Sequence, residues 1–135
     1  MSTTENKTLA RRFLEEVFNQ RRLEAIETLT VPVFVDHNLP SGVTVAQSIS
    51  AFLAGFPDAR FTIDDQIEEG DRVVTRWTAR GTHTGNLFGI PPTGKSMAMP
   101  GISIYRITNG KMVEAWVQYD QLGMMQQLGL VPVGA

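Results

Sequence analysis

The 135-residue chain contains no cysteine, which excludes disulfides, thiolate metal sites and cysteine nucleophiles. It has two histidines, His37 and His83, too far apart in sequence to form a helical ligand pair, so no metal is expected. It lacks a basic block. Its 12 Lys and Arg stand against 14 Asp and Glu, for a net charge of -2, and nucleic acid is not an expected partner. No apolar run approaches the roughly 18 residues that would cross a membrane, and the opening MSTTENKTLARRF has no apolar signal core. A cytoplasmic protein with no membrane partner is therefore expected. There is no Gly-rich phosphate loop between a strand and a helix, and no nucleophile elbow.

What is present is a globular balance. Hydrophobic residues make up 42% and charged residues 19%, unlike a disordered chain. The length fits one domain over residues 1–135, with a loose tail over 1–5 and enough chain for a core enclosing a pocket.

From Asn6 the pattern is helical. Leu9, Phe13 and Val17 form one row and Ala10, Leu14 and Phe18 the next, which predicts a helix over 6–19. A shorter helix with Leu23, Ile26 and Leu29 inward ends at Pro32. Residues 33–36 read as a short buried strand that delivers Asp36-His37-Asn38 behind Phe34 and Val35. A third helix is predicted over 45–56, stopped by Pro57-Asp58. The rest is β: strands over 59–68, 72–83, 96–108 and 111–121, and then one or two helical turns over 122–130. On 72–83, Val73, Thr75, Trp77, Ala79 and His83 share one face. Arg72, Arg76 and Arg80 share the other, as a solvated stripe or interface edge. Residues 85–95, GNLFGIPPTGK, form a shaped loop. Pro100-Gly101 suggests a kink or bulge, and Asn109-Gly110 is the chain's strongest hairpin signal. Three helices followed by about four strands predict an α+β fold, with helices packed on a curved sheet around a pocket.

The last strand, KMVEAWVQYDQ, organises the expected site. Val113, Ala115, Val117 and Tyr119 point one way, and Glu114, Trp116, Gln118 and Asp120 the other. If the second face looks inward, Asp120 becomes a carboxylate beside an aromatic wall, a setting that raises a carboxyl pKa and makes a usable base. The alternative is that Asp120 caps the helical stretch that follows.

Several pieces carry a resemblance. They are ARRFLEEVFNQ in the first helix, FVDHN at 34–38, FPDARFTIDDQIEEGDRVVTRWTARGTHTG at 56–85, LFGIPPTGK at 87–95 and GISIYRITNGKMVEAWVQYDQLGMMQQLG at 101–129. Together they resemble the SnoaL-like polyketide (ester) cyclase family, whose cone-shaped fold is shared with nuclear transport factor 2 and ketosteroid isomerase. The resemblance implies a cone-shaped α+β barrel with a mixed or antiparallel sheet. It also implies cofactor-independent, acid/base-catalysed intramolecular aldol closure of a hydrophobic, oxygenated substrate, and a homodimer paired through the sheet. It places the acid/base at Asp120. Isomerisation, dehydration, hydration or hydroxylation in the same pocket, and ligand binding without catalysis, stay open because one fold hosts many reactions. The chain departs from many relatives at Ala115, where they carry histidine. By strand parity that position should face away from Asp120.

An aldol closure needs a base next to a carbonyl, a donor for the developing enolate and an acid for the alkoxide. Asp120, with His83 and His37, supplies the candidate catalytic set. Trp116, Gln118, Trp77, Phe34, Phe52, Phe56, Phe88 and Met99 are the candidate substrate-binding residues. Tyr105 is an alternative donor, and Tyr119 is set aside because parity turns it from Asp120. His83 can equally pin the 85–95 loop, and His37 can be a histidine satisfied by backbone groups. Asp36 and His37, being adjacent on a strand, cannot face the same way.

Overall fold

The structure, a computed structural model, describes residues 3–132. The predicted elements form in the predicted order. Helix α1 spans Thr3–Arg12, so the tail expected over 1–5 gives way to helix from Thr3, and residues 1 and 2 lie outside the described residues. The helix does not run on regularly to residue 19. Phe13–Asn19 widens into a π-helical segment, which closes with the Gln20 amide reaching the Glu15 carbonyl at 2.9 Å. The inward rows survive the widening, since Leu9, Ala10, Phe13, Leu14 and Val17 are all buried. Arg21 holds a left-handed backbone (φ 62°), and its guanidinium donates to the Pro57 and Ala59 carbonyls at 2.8 and 2.9 Å. This ties the end of the segment to the start of the sheet.

Helix α2 is Ala25–Leu29 and strand β1 is Thr30–Asp36. Pro32 thus falls inside a strand rather than closing a helix, which is tolerable because β1 lies at the sheet edge. Helix α3, Val45–Gly55, opens on a capping box. The Gln47 amide donates to Thr44 Oγ1 at 3.1 Å, and the Gln47 side chain accepts from the Thr44 amide at 2.9 Å. Strands β2 (Arg60–Glu69), β3 (Arg72–Thr82), β4 (Ser96–Thr108) and β5 (Lys111–Tyr119) follow, and helix α4 (Gln121–Gln127) closes the chain.

The sheet order is β1-β5-β4-β3-β2. β1 runs parallel to β5 and the other pairs are antiparallel. This is the expected α+β architecture, with a mixed, curved and unclosed sheet carrying the helices on its inner face. Asn109 and Gly110 both take positive φ (53° and 74°), as the expected tight hairpin requires. The irregularity expected at Pro100-Gly101 is absent, and β3 and β4 stay in register past it. Gly101 serves packing instead: a Cβ there would lie 2.2 Å from Trp77 Cζ2, so the missing side chain is what lets the indole lie across β4. The irregularities fall elsewhere, between Thr30 and Val35 on β1, between Ile63 and Asp65 on β2 and between Arg106 and Ile107 on β4 against β5.

Two apolar clusters fill the interior. One gathers Phe13, Val17, Leu29, Tyr105 and Met112, and the other Phe56, Phe61, Trp77, Met99 and Met124. Among the described residues no helix is long and apolar enough to cross a membrane.

Candidate active site

Between the clusters lies a cavity of about 330 Å³, at the lower end of the range for small-molecule sites. The π-helical segment supplies Phe13, Leu14 and Phe18, and α3 supplies Val45, Ser48, Ile49 and Phe52. The sheet supplies Phe61, Trp77, Met99, Ser103, Tyr105, Ala115, Val117, Gln118 and Tyr119. Phe34, Asp36, Asn38 and Leu39 come from the end of β1, and Gln121 from the start of α4. The floor is buried and the exposed members Asn38, Gln118, Tyr119 and Gln121 form the mouth.

The floor carries a short polar series. Trp77 Nε1 donates to Ser103 Oγ at 2.9 Å. Next along the inward face of β4 is Tyr105, 4% exposed. Burial pushes its phenol up to about 12, a hydrogen bond with Ser103 opposes that, and the charge of Asp36 adds to it. The phenol therefore keeps its proton at neutral pH and remains a donor.

Asp36 is the one carboxylate among the lining residues. Half-buried, its carboxyl is raised above the ordinary range by burial, against the pull of the Asn38 amide and of His37. The turn that holds it is clamped to β5. The Asn38 amide donates to Asp36 Oδ1 at 2.9 Å, the Val117 amide to Asn38 Oδ1 at 2.6 Å, and the His37 amide to the Ala115 carbonyl at 2.9 Å. In the parallel register Asp36 lies beside Ala115.

The sequence-predicted residues divide. Phe34, Phe52, Trp77, Met99 and Gln118 line the cavity. Phe56 is fully buried behind it against Phe52 and His83, with ring centroids 5.1 and 5.6 Å away. Phe88 is 66% exposed on its loop. His83 is buried, its Nδ1 receiving the Thr93 amide at 3.2 Å while its own amide donates to the Lys95 carbonyl at 2.9 Å. It fastens the 85–95 loop and is not among the lining residues. Asp120 caps α4, accepting the Gly123 amide on Oδ1 at 2.9 Å. Asp120 is exposed and is not among the lining residues, although its chain neighbours Tyr119 and Gln121 are.

The inward face of β5 is the reverse of the one expected. Ala115, Val117 and Tyr119 look into the cavity, whereas Glu114 and Trp116 look outward. A β-bulge precedes this stretch. Arg106 pairs with Glu114 and Ile107 with Met112, which leaves Val113 as an extra residue. Counting by twos from buried Met112 without that bulge turns Glu114 and Trp116 inward. Ala115 falls inside the cavity, next to Asp36, rather than away from it. His37 goes outside with Trp116. The two rings stack at 4.9 Å and 14°, and His37 Nε2 lies 2.6 Å from Glu114 Oε2. Arg106 Nε donates to Glu114 Oε1 at 2.6 Å. The hydrogen bonds from His37 and then Arg106 hold the Glu114 carboxyl below its ordinary value.

Asp36, Asn38 and Ser103 are cavity residues that the sequence reading left aside. The inward parity of Ser103 with Tyr105 on β4 was the available signal; the turn that aims Asp36 inward has none. Among the described residues no group of three or more His, Asp and Glu side chains is arranged to hold a metal ion.

The family and the fold are shared with known proteins. The model of the family described as SnoaL-like polyketide cyclase matches residues 8–128. Nogalonic acid methyl ester cyclase of Streptomyces nogalater is 27% identical over 119 residues, which cover 83% of this chain and 89% of that protein. Aklanonic acid methyl ester cyclase of Streptomyces peucetius is 37% identical over 62 residues, 46% of this chain and 43% of that one. Among solved structures, AclR of Streptomyces galilaeus, for which a hydroxylase activity has been suggested, superposes with a TM-score of 0.86 at 27% identity, over 98% of this chain and 89% of its own. IdmH of Streptomyces antibioticus, suggested to be a polyketide cyclase, gives 0.78 at 31% identity, over 92% and 98%.

Proposed function

The chain belongs to the SnoaL-like polyketide cyclase family, and from that premise we propose that it closes a ring in a hydrophobic, oxygenated polyketide-like substrate by cofactor-independent acid–base catalysis. The observation that carries this reading is the cavity. Its apolar walls suit a fused or folding ring system, while Asp36, Ser103, Tyr105 and Gln118 place a few polar groups among them. Proton abstraction next to a carbonyl, donation to the enolate and attack on a second carbonyl in the same molecule need no more than such groups.

The first test uses aklanonic acid methyl ester and nogalonic acid methyl ester as substrates, because relatives are named for them. Ring closure gives a product of unchanged mass. The likeness to AclR favours a second reading, hydroxylation in the same cavity, which gives a product heavier by one oxygen. Binding of both esters with no product from either leaves a non-catalytic binding module.

The family resemblance assigns the acid–base role to Asp120. Its neighbours Tyr119 and Gln121 stand at the mouth, and its carboxylate is held by the Gly123 amide. Asp120→Asn lowers turnover by at least ~100-fold if Asp120 moves the proton. Near-wild-type turnover takes Asp120 out of the chemistry without touching the cavity reading.

A second copy of the chain is the proposed partner. The inner face of β5, with Ala115 and Val117, is cavity wall. The outer face instead exposes Val33, Val35 and Ile102, and it is the surface offered for pairing. Sedimentation at micromolar concentration that gives only a 14.9 kDa species removes the dimer.

A further inference from the structure

We propose that Asp36, and not a group at the mouth, is the base that takes the proton from the substrate, with the Tyr105 hydroxyl donating to the enolate oxygen across the cavity. The proposal rests on the reading that the cavity takes a carbonyl substrate. It does not rest on any role for Asp120.

Placement comes first. Asp36 is the one carboxylate among the residues lining the cavity, and Tyr105 lies on the floor of the same cavity. The side chain of Asp36 is held for the task. One oxygen takes the Asn38 amide, and Asn38 is itself fastened to β5 through the Val117 amide, so the turn fixes the carboxylate without neutralising it. No Lys or Arg lines the cavity. The charged and titratable groups around Asp36 include Glu27, which lines a second cleft with it on the other side. His37 follows Asp36 in the chain, but the imidazole turns outward onto Trp116 and Glu114. β4 brings Tyr105, β5 brings Tyr119, and the helical wall brings Ser48 and apolar side chains without charge. Beside Asp36 on β5 is Ala115, which adds no polar group. A carboxylate in such a place is more basic than an exposed one, as the upward displacement of Asp36 indicates.

The step balances within one molecule of substrate. An Asp36 oxygen takes the hydrogen next to a carbonyl as a proton, and the C–H pair becomes the enolate. The Tyr105 O–H donates a hydrogen bond to the enolate oxygen and keeps its proton. The enolate carbon attacks the second carbonyl, forming the C–C bond and breaking the C=O π bond. The resulting alkoxide takes the proton back from Asp36. Nothing is oxidised or lost.

The experiment separates proton abstraction from ring closure. Aklanonic acid methyl ester is incubated with the protein in deuterated buffer, and deuterium entering next to its carbonyl is followed above the buffer rate. Asp36→Asn, which preserves an acceptor for the Asn38 amide, lowers that exchange by at least ~100-fold. Tyr105→Phe slows it by about 100-fold. Glu69→Gln, at the exposed end of β2 and outside the cavity lining, leaves it within a few-fold of wild type. Exchange that survives Asp36→Asn, or disappears in Asp120→Asn alone, overturns the assignment. A second measurement needs no substrate: NMR titration of the Asp36 carboxyl carbon. A value above the roughly 3.9 of an exposed Asp is expected, and one at or below it overturns the proposal. A wild type that neither exchanges nor cyclises the esters while Asp36 titrates high sinks the cyclase reading and leaves Asp36 as base for another carbonyl compound.

Discussion

The two faces of the sheet each present a carboxylate near aromatic rings, and they treat it in opposite ways. Outside, Glu114 is gripped by His37 and Arg106, next to the indole of Trp116 over which Arg72 lies at 5.4 Å. Inside, Asp36 has one backbone hydrogen bond and no charged group bonded to it. Hydrogen bonds with His37 and Arg106 favour the charged form of Glu114; burial favours the neutral form of Asp36. A carboxylate that has found its ion pair is committed to one protonation state. One left half-buried and unpaired is free to change state, which is what a proton-carrying group must do. Adjacent pairs in the same strand register, Asp36 with Ala115 and Val35 with Glu114, thus separate a reactive environment from a structural one.

The sharpest way to break this contrast is to disturb the inner face at Gly101. Gly101→Ala puts a Cβ 2.2 Å from the Trp77 indole, and overpacking of this kind costs about 1–3 kcal/mol or more. A clear fall in Tm with a change in tryptophan fluorescence is the expected outcome; an unchanged Tm shows that the floor is soft. Next in size is Ser103→Ala, which strands the buried Trp77 N–H for about 1–3 kcal/mol. Thermal unfolding reads that loss, and the larger of the two effects should belong to Gly101.

The smallest effect is the most pointed, because its sign differs between the faces. Glu114 has a depressed folded pKa, so its stabilisation is present above the ordinary carboxylate pKa and is lost as pH falls through the folded value. Glu114→Gln should therefore lower Tm slightly at neutral pH, and the gap to wild type should close in acid. Asp36 has a raised folded pKa, so stability is lost as pH rises through the window between its unfolded and folded values. Asp36→Asn should match or exceed the wild-type Tm at neutral pH, and this advantage too should vanish in acid. The same sign for both variants at pH 7 would show that the two faces are not electrically distinct.

Much of the fold was legible because burial follows periodicity. The helical rows of Leu9, Phe13 and Val17, the inward set of Val73, Thr75, Trp77 and Ala79, and the Asn109-Gly110 turn all follow from spacing and backbone chemistry. The site was only partly legible. Phe34, Phe52, Trp77, Met99 and Gln118 were within reach, because large apolar side chains near a predicted sheet have few other places to go. The inward face of β5 was not. Alternation sorts residues into two sets without saying which set is inside, and a bulge is invisible in a run as regular as MVEAWVQY. Asp36 escaped for a related reason. Its direction is set by a hydrogen bond that Asn38 accepts from Val117, on a strand some eighty positions later, and no local pattern records it.

The extra residue at Val113 has a consequence for how this sheet can change over time. It works as a joint between two stretches of β5. The stretch on one side is keyed to the apolar core at Met112, and the stretch on the other is keyed to the cavity at Ala115, Val117 and Tyr119. Removing Val113 should smooth the strand while each neighbour keeps its face, so a one-residue deletion there is close to silent. The same deletion two or three positions further along exchanges every wall residue for its outward neighbour. On the β4 side the strand therefore takes a change of length at Val113 without turning the cavity wall over.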